Sequence, residues 1–443
     1  MATHAVVGEK IFVGKNYCIC EKPYQEGEFM IECSICNNWF HGKCVLITEE
    51  NSAYIDQYHC PKCKETHGPL IWLKLKCTIF FYFLIVKMLS ILPKNVRTGS
   101  KKFMEKLKTR KFLSAEDIPV ISLHGSELTF DYLEKHSFDN PILSTSTDGL
   151  HLQTPPTNFS AQAVEDLVGP MQEISVIDVA RQEDHRMFLR EWTNYFTNQS
   201  KKKILNLLSL EFSNSKLSEL VTPPQIVFDV SWVTNMWPND ETMYLKPEVQ
   251  KYCLMSVEDS YTDFHIDFGG TSVWYHVVRG EKIFYLIKPT PSNLAEFETW
   301  MKSSEQPMTF FADIVTECYQ VKIKQGETVF LPSGWIHAVW TPKESLVFGG
   351  NFLNSFNTDI QLQIYNLEKR ILAPNKYLFP NFEPLHWFVA SSLTSKVKDL
   401  LERNQRLPKY LIESLKAMLP CLRVWSRDKE VDWRMVADRW LSG

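Results

Sequence analysis

The sequence predicts a multidomain protein: a small zinc-bound module, then a mostly-β double-stranded β-helix (jelly roll) with helical support before and after it. Three observations support this prediction. Cysteines crowd into the first part of the chain, short strand signals recur through the middle, and helical periodicity dominates the end. With 443 residues, 44% hydrophobic and 13% aromatic, the chain can bury a sizeable core. A net charge of -4 argues against nucleic-acid binding driven by the charge of the whole chain.

The first module is defined by the spacing of metal ligands. Seven of the eleven cysteines lie between Cys18 and Cys63, and no secretory signal is visible before them. A cysteine cluster without such a signal favours metal binding over a disulfide framework. With one histidine added, the candidate ligands are Cys18, Cys20, Cys33, Cys36, His41, Cys44, Cys60 and Cys63. These suit two tetrahedral zinc ions, which would replace the missing core of so short a segment.

The ligand order predicts cross-brace connectivity. One zinc ion would take Cys18, Cys20, His41 and Cys44, and the other would take Cys33, Cys36, Cys60 and Cys63. A RING-type ubiquitin ligase module is one alternative, but its histidine normally comes one ligand earlier. Here the histidine is fifth and follows Trp39-Phe40, so residues 15–66 resemble a PHD finger.

Four further side chains of this segment match the walls of a methyl-ammonium cage in such fingers. They are Tyr17, Tyr24, Met30 and Trp39. Aromatic faces attract a cation by about 0.5 to 2 kcal/mol each. Packing around zinc is the plain alternative for any one of them. The resemblance implies trimethylated lysine 4 of histone H3 as the ligand.

Residues 67–114 are expected to link this finger to the next domain. Within the stretch 70–92, the uncharged run 77–86 is shorter than the ~20 apolar residues of a spanning helix. A packed or atypical insert is therefore favoured over a membrane anchor. The segment 94–111 is basic, which indicates a solvated helix face, a weak contact with DNA phosphates or a nuclear address.

The second domain is predicted to span residues 115–358, with a core of about 204–355, and it carries the chemistry. His265 and Asp267 lie two residues apart in a strand-forming region, so their side chains would share one face and hold one ion. His337, after a strand and a Pro-Ser-Gly turn, would return as the third ligand. Two histidines and an aspartate form a facial triad, which suits Fe(II) and leaves coordination positions of the metal open for a co-substrate and oxygen. A satisfied core histidine is the plain alternative.

Lys282 favours the metal interpretation. It follows an expected turn at Arg279-Gly280 and shares its strand face with Phe284 and Leu286. A lysine that faces an apolar interior is costly unless it has a partner. A co-substrate carboxylate beside the metal would be such a partner.

Residues 252–352 resemble the cupin-like JmjC-domain oxygenases, and among them the histone lysine demethylases with a PHD finger ahead of the JmjC domain. The resemblance rests on residues 259–276, on Gly-Glu-Lys-Ile-Phe-Tyr-Leu-Ile and on Gly-Trp-Ile-His-Ala-Val. It implies that His265, Asp267 and His337 bind iron, while Thr262 and Lys282 hold 2-oxoglutarate. Asn206 and Tyr275 match further co-substrate contacts.

The same resemblance implies a function. The expected reaction is demethylation of mono- and dimethylated lysines 9 and 27 of histone H3, on nucleosomes in the nucleus. A protein hydroxylase on the same fold and a non-catalytic chromatin reader or scaffold are the alternatives. Gly269-Gly270 and Gly349-Gly350 are expected to let the backbone approach a bound substrate. The remainder, residues 359–443, is predicted to be helical over 360–371, 386–401 and 410–425, as a support for the barrel or as a dimer surface.

Overall fold

The computed structural model describes residues 16–25, 27–53, 55–72, 96–114, 120–239 and 244–427. The chain forms two compact units, Met1–Lys94 and Asn95–Gly443. The predicted apolar run 77–86 lies outside the described residues, as does the end of the helical region beyond residue 427. Within the described ranges, no helix has the length and apolar character needed to cross a membrane.

The first unit consists of short hairpins and small helices. Its strands are β1 (Asn16–Tyr17), β2 (Lys22–Pro23), β3 (Met30–Glu32), β4 (Trp39–His41), β5 (Ile55–Gln57) and β6 (Ile71–Trp72). Its helices are α1 (Gly42–Val45), α2 (Glu49–Ser52) and α3 (Pro61–His67). The strands pair antiparallel as β1-β2, β3-β4 and β5-β6. The buried core is small and centres on Cys33, Phe40, Ile55, Tyr58 and Cys60, so apolar packing alone is a weak source of stability here.

The second unit contains the remaining elements. Its strands are β7 (Leu113–Ser114), β8 (Ile121–Ser122), β9 (Ile142–Ser144), β10 (Glu173–Asp178), β11 (Glu183–Phe188), β12 (Leu205–Glu211), β13 (Tyr252–Ser256), β14 (Tyr261–His265), β15 (Ser272–Ile287), β16 (Tyr319–Lys324), β17 (Thr328–Leu331) and β18 (Ile336–Phe352). Its helices are α4 (Lys101–Thr109), α5 (Phe130–His136), α6 (Ala161–Val168), α7 (Leu189–Thr197), α8 (Gln225–Val230), α9 (Trp232–Asn235), α10 (Pro291–Lys302), α11 (Thr358–Arg370), α12 (Phe382–Glu402) and α13 (Lys409–Trp425).

Two long antiparallel strands, β15 and β18, organise the sheet of this unit. They pair with each other along most of their length, and β15 also pairs with β16 and β17 on its other edge. The first half of β18 takes β14 as a further partner, and its second half takes β13. A sheet whose long strands change partners midway closes into a double-stranded β-helix. The predicted fold class is therefore confirmed.

The expected turn at Arg279-Gly280 is wrong. β15 runs without a break through this point, and its pairing with β18 shifts register between Val277 and Ile283. Gly280 has φ +91°, and a Cβ atom on it would lie 2.2 Å from the carbonyl oxygen of Glu344. The chain therefore bends through a bulge that only glycine fits, and both halves of the strand stay in one ladder.

The alternating side chains of β15 separate the barrel interior from its outer layer. Phe284 and Leu286 lie inside the barrel in one apolar cluster with residues of β16, β17 and β18. Ile283 and Tyr285 point the other way and pack in a cluster with residues of α4 and α10. Because the two faces of β15 pack against different elements, a register slip of one residue would move the side chains of each face out of their apolar cluster.

The predicted helices of the tail correspond to α11, α12 and α13, although α12 begins at Phe382, earlier than the sequence indicated. These helices share an apolar cluster with α9, which includes Trp232, Leu362, Leu385 and Leu411. The indole Nε1 of Trp232 also donates to Ser355 Oγ at 2.9 Å. The tail is thus packed onto the end of β18.

Candidate metal centres

Strands β14 and β18 bring two histidines together. His265 ends β14, His337 is the second residue of β18, and the two are directly opposite in the antiparallel ladder. Their ring centroids are 4.2 Å apart, and Asp267 Oδ2 lies 3.7 Å from His337 Nε2. One ligand atom from each of these three residues lies within 4.8 Å of the others. The structure thus gathers the three side chains that the sequence singled out.

The route by which Asp267 reaches the cluster differs from the expected one. β14 ends at His265, and Asp267 instead occupies the N-cap position of the 3-10 turn Phe268–Gly270, without a capping hydrogen bond from its side chain. The carboxylate is therefore placed by a turn and not by the alternation of a strand. The position of the Asp267 carboxylate therefore depends on the contacts that fix the conformation of that turn.

Both imidazoles are oriented by backbone carbonyls. His265 Nδ1 lies 2.9 Å from the carbonyl oxygen of Asp263, and His337 Nδ1 lies 3.0 Å from that of Trp335. A carbonyl oxygen only accepts, so each Nδ1 carries the proton and each Nε2 is left for a metal ion. Burial, with His265 beside it, lowers the pKa of His337 to about 4. His337 is thus in the neutral form that metal binding requires.

Lys282 is a fully buried lysine that has no anionic partner among the described residues. Its side chain is 1% exposed, and Nζ donates to Ser256 Oγ at 2.6 Å and to Thr341 Oγ1 at 2.8 Å. No carboxylate of the described residues lies within ion-pair distance of it, and burial lowers the pKa of Lys282 to about 7. Sequence reasoning missed Ser256 and Thr341, because hydroxyl residues in strands carry no signal until the pairing is known.

The other residues expected beside a co-substrate lie close to these. Asn206 is buried, donates from Nδ2 to Thr262 Oγ1 at 3.2 Å, and is paired with Ser256 in the ladder. Its Oδ1 has no hydrogen-bond partner among the described residues. Tyr275 contacts Phe284 edge to face at 5.2 Å, and the Phe284 ring stacks on His337 at 6.0 Å.

A side chain of the β10-β11 connection supports the strand that carries His265. The carboxamide of Gln182 donates from Nε2 to the carbonyl of Tyr261 at 3.1 Å and accepts from the amide of Asp263 at 3.3 Å. It therefore pairs with the edge of β14 that β18 leaves open. Sequence reasoning missed Gln182, since a glutamine in a loop has no pattern that reveals its partner.

The glycines expected to admit a substrate pack closely against protein atoms, so packing already accounts for them, and their approach to a substrate stays a prediction. A Cβ atom on Gly269 would lie 2.8 Å from Phe379 Cβ, and one on Gly270 would lie 2.9 Å from Ile364 Cβ. A Cβ atom on Gly350 would lie 1.9 Å from the carbonyl oxygen of Gln250, and one on Gly349 would lie 2.8 Å from that of Trp274. Protein atoms already occupy the space beside each of them.

The first unit holds two interleaved cysteine clusters. One contains Cys18, Cys20, His41 and Cys44, the other Cys33, Cys36, Cys60 and Cys63, and within each cluster the ligand atoms lie within 4.8 Å of one another. All seven cysteines of the two clusters are free of disulfides, and Cys20 Sγ lies 3.2 Å from His41 Nδ1. Burial opposes ionisation of Cys18, but the backbone amides of Cys20 and His41 outweigh it and lower the pKa of that thiol to about 7.

The expected cage residues are partly gathered by the β3-β4 hairpin. Its register places Met30 and Trp39 on one face, while Ile31 and Phe40 face the small core. The amide of Cys18 donates to the carbonyl of Trp39 at 3.0 Å, which places the backbone of Tyr17 beside Trp39. The Tyr17 side chain lies outside the described part. Tyr24 is half-buried, and its hydroxyl accepts from the amide of Gly27 at 3.3 Å.

Three family profiles match the chain. They are a UBR7-like PHD finger over residues 12–73, the JmjC domain, hydroxylase, over residues 252–352 and the Jumonji helical domain over residues 356–437. The order of these matches agrees with the order of the elements described above.

Curated relatives match almost the whole chain. It is 48% identical to lysine-specific demethylase 7A of Homo sapiens, over 94% of this chain and 44% of that protein. It is 47% identical to histone lysine demethylase PHF8 of Danio rerio, over 94% of this chain and 40% of that protein. For lysine-specific demethylase 7B of Danio rerio the identity is 46%, over 92% of this chain and 70% of that protein. The chain therefore spans less than half the length of the first two relatives.

Proposed function

Since this chain belongs to the family of histone lysine demethylases with a PHD finger and a JmjC domain, we propose that it demethylates histone H3 with Fe(II) and 2-oxoglutarate. The observation that carries the proposal is the combination inside one barrel of a His-Asp-His cluster and a buried lysine that has no anionic partner among the described residues. The favoured substrates are mono- and dimethylated lysines 9 and 27.

The residues present fit this metal and this co-substrate. Two imidazoles with free Nε2 atoms and one carboxylate form the donor set of non-haem Fe(II) oxygenases, so His265, Asp267 and His337 would hold the iron. Lys282 would hold the far carboxylate of 2-oxoglutarate, with Thr262, Asn206 and Tyr275 beside it. With iron bound, O2 would be the oxidant: one oxygen atom would hydroxylate an N-methyl group and the other would enter succinate as 2-oxoglutarate loses CO2, after which the hydroxylated methyl leaves as formaldehyde and the nitrogen keeps a proton. The barrel excludes water and fixes the reacting groups.

We expect Lys282→Met to raise the dissociation constant of 2-oxoglutarate at least about tenfold, because a buried carboxylate loses its charged partner. The wild-type affinity should also fall as the pH rises above about 7, since the free lysine then becomes neutral. Because burial lowers the pKa of Lys282, the free energy of unfolding of the protein without 2-oxoglutarate decreases as the pH falls toward 7. A bound carboxylate would offset this loss of stability. Calorimetric titration with 2-oxoglutarate at pH 6.5 and 8.5 measures the effect of the substitution and the effect of pH on the dissociation constant. The exposed Lys288→Met is the control, and equal affinities for all three proteins would remove Lys282 from the site.

The finger is proposed to bind trimethylated lysine 4 of histone H3, with both cysteine clusters filled by zinc. The support is the shared face of Met30 and Trp39 next to the backbone of Tyr17. Trp39→Ala should weaken binding of the trimethylated peptide at least about tenfold, because an aromatic wall is lost while every zinc ligand remains. Titration of the peptide, together with the zinc content, tests this. Leu46→Ala, at an exposed apolar position, is the control, and an unchanged affinity of Trp39→Ala would refute the cage.

Chromatin in the nucleus is the proposed setting, and α4 offers a weak contact with DNA. This helix buries Phe103, Met104 and Leu107, which leaves Lys101, Lys102 and Lys106 exposed on the opposite side. None of these three lysines has a carboxylate partner in the described part of the chain, whereas Lys108 pairs with Asp259. Such a contact would weaken steeply with salt, as phosphate binding does.

One experiment tests the proposed reaction and its alternatives. The substrates are H3 peptides with dimethylated lysine 9 or 27, each with and without trimethylated lysine 4. They are incubated in air with enzyme, Fe(II), ascorbate and 2-oxoglutarate, and the peptide masses are then measured by mass spectrometry. Demethylation predicts loss of methylene masses, and the lysine 4 mark should lower KM because the finger tethers the substrate. Addition of oxygen to unmethylated peptide would indicate a protein hydroxylase. No turnover, with binding retained, would indicate a reader.

A further inference from the structure

The turn that carries Asp267 is enclosed by the C-terminal helical region. Gly269 and Gly270, which follow Asp267 closely, both have positive φ and leave no space for a side chain. The atoms that fill this space belong to Ile364 of α11, to Phe379 just before α12 and to Phe382, the first residue of α12. The helices therefore contact the chain within three residues of a candidate metal ligand.

A buried carboxylate from α11 reaches the same turn. Glu368 is 7% exposed, and its Oε1 accepts a hydrogen bond from the amide of Gly269 at 2.7 Å. Its Oε2 is buried and has no hydrogen-bond partner among the described residues. Burial raises the pKa of Glu368 to about 7. A buried carboxyl with one partner is costly, but an apolar residue at this position of α11 would leave the buried amide of Gly269 without its acceptor.

We propose that Glu368 is a positioning residue that orients Asp267 for metal binding, which makes the helical region a part of the metal site. This inference rests on the proposed binding of iron by His265, Asp267 and His337. Glu368 fixes the amide of Gly269, and the next amide, that of Gly270, donates back to the carbonyl of Asp267 at 3.0 Å. Together these two hydrogen bonds fix the conformation of the turn that begins at Asp267. The Asp267 carboxylate then stays beside His337 before a metal ion arrives.

A purely structural role would give a different pattern of effects. If Glu368 only stabilised the packing of α11, its loss would lower the melting temperature and leave metal affinity unchanged. If it positions Asp267, metal affinity should fall even where stability is retained. Replacement of groups that orient metal ligands typically lowers metal affinity by about 10- to 100-fold. We therefore expect a loss near the lower limit, about tenfold, because Glu368 acts through a backbone amide.

Four variants of the full chain separate these roles. Glu368→Met keeps the length of the side chain and removes the acceptor, while Glu368→Gln keeps an acceptor oxygen and removes the charge. Glu368→Asp keeps the charge and shortens the reach. Leu367→Ala, at a buried neighbour in the apolar cluster behind α11, is the control for lost packing. The readouts are the affinity for Co(II) by calorimetry, in the zinc-loaded protein, and the melting temperature.

The expected result is a Co(II) dissociation constant about tenfold higher for Glu368→Met, a smaller increase for Glu368→Asp and a value near wild type for Glu368→Gln and Leu367→Ala. Should Glu368→Met fail to fold, the comparison of Glu368→Asp with Glu368→Gln decides. Wild-type affinity in both Glu368→Met and Glu368→Asp, or an equal loss in Leu367→Ala, would overturn the positioning role. Absence of Co(II) binding at the barrel of the wild type would instead overturn the proposed iron site.

Discussion

Replacing His265 or Asp267 with alanine is expected to lower kcat by more than about a hundredfold while the barrel remains folded. The barrel offers three candidate ligands at this point, and each provides one atom of a cluster only 4.8 Å across. With two ligands left, the metal ion is held weakly and its remaining ligands are no longer fixed. The fold should tolerate the change, because His265 ends its strand and Asp267 lies in a turn.

Formaldehyde release and circular dichroism on the same preparations measure this prediction. His276→Gln is a suitable control, since His276 is also a buried histidine of the barrel but lies outside the His-Asp-His cluster, with its Nδ1 2.8 Å from Thr328 Oγ1. It should cost stability and keep a bound metal ion. Turnover at the wild-type rate by His265→Ala would show that the cluster is not the catalytic centre.

Removal of zinc is expected to unfold residues 16–72 and leave the second unit intact. Zinc contributes about 10 kcal/mol or more to the folding of such modules, which exceeds what the small cluster around Phe40 and Tyr58 can supply. Cys33 should be the most sensitive ligand, because it is buried and also accepts from the amide of Cys60 at 3.2 Å. Cys33→Ser should thus abolish binding of the methylated peptide.

Hydrogen exchange of the full chain, before and after chelation, locates the unfolded residues. Cys253→Ser provides the matched control, because Cys253 is a buried cysteine of β13 outside both clusters. It should destabilise the barrel and leave the finger protected. Retained protection of β3 and β4 after complete loss of zinc would contradict the prediction.

The parts of the site that could be predicted from the sequence are those with a strong chemical signature. Two histidines and an aspartate in strand-forming segments, and eight ligands in a fixed order, restrict the structure before any contact is known. Lys282 could be recognised because its charge conflicts with its apolar neighbours. Even so, the roles of these residues, like the domain bounds, stay predictions until they are measured.

The supporting residues could not be predicted, because their partners are far away in the chain. Ser256 lies 26 residues from Lys282, and Glu368 lies 99 residues from Gly269. Polar residues of common types acquire such roles only when the fold brings them together. The bend at Gly280 was misjudged for a related reason: glycine with positive φ suits both a turn and a bulge, and only the ladder partner distinguishes them.

The position of β18 in the sheet has a consequence for synthesis of the protein. β13, β14 and β15 all pair with β18, which is the last strand of the barrel to leave the ribosome. Until residue 352 has emerged, these three strands expose unpaired edges and apolar faces, and such edges invite association with other chains. Pairing over such separations is also intrinsically slow. We therefore expect a chain that stops before β18 to aggregate and not to give a shortened enzyme.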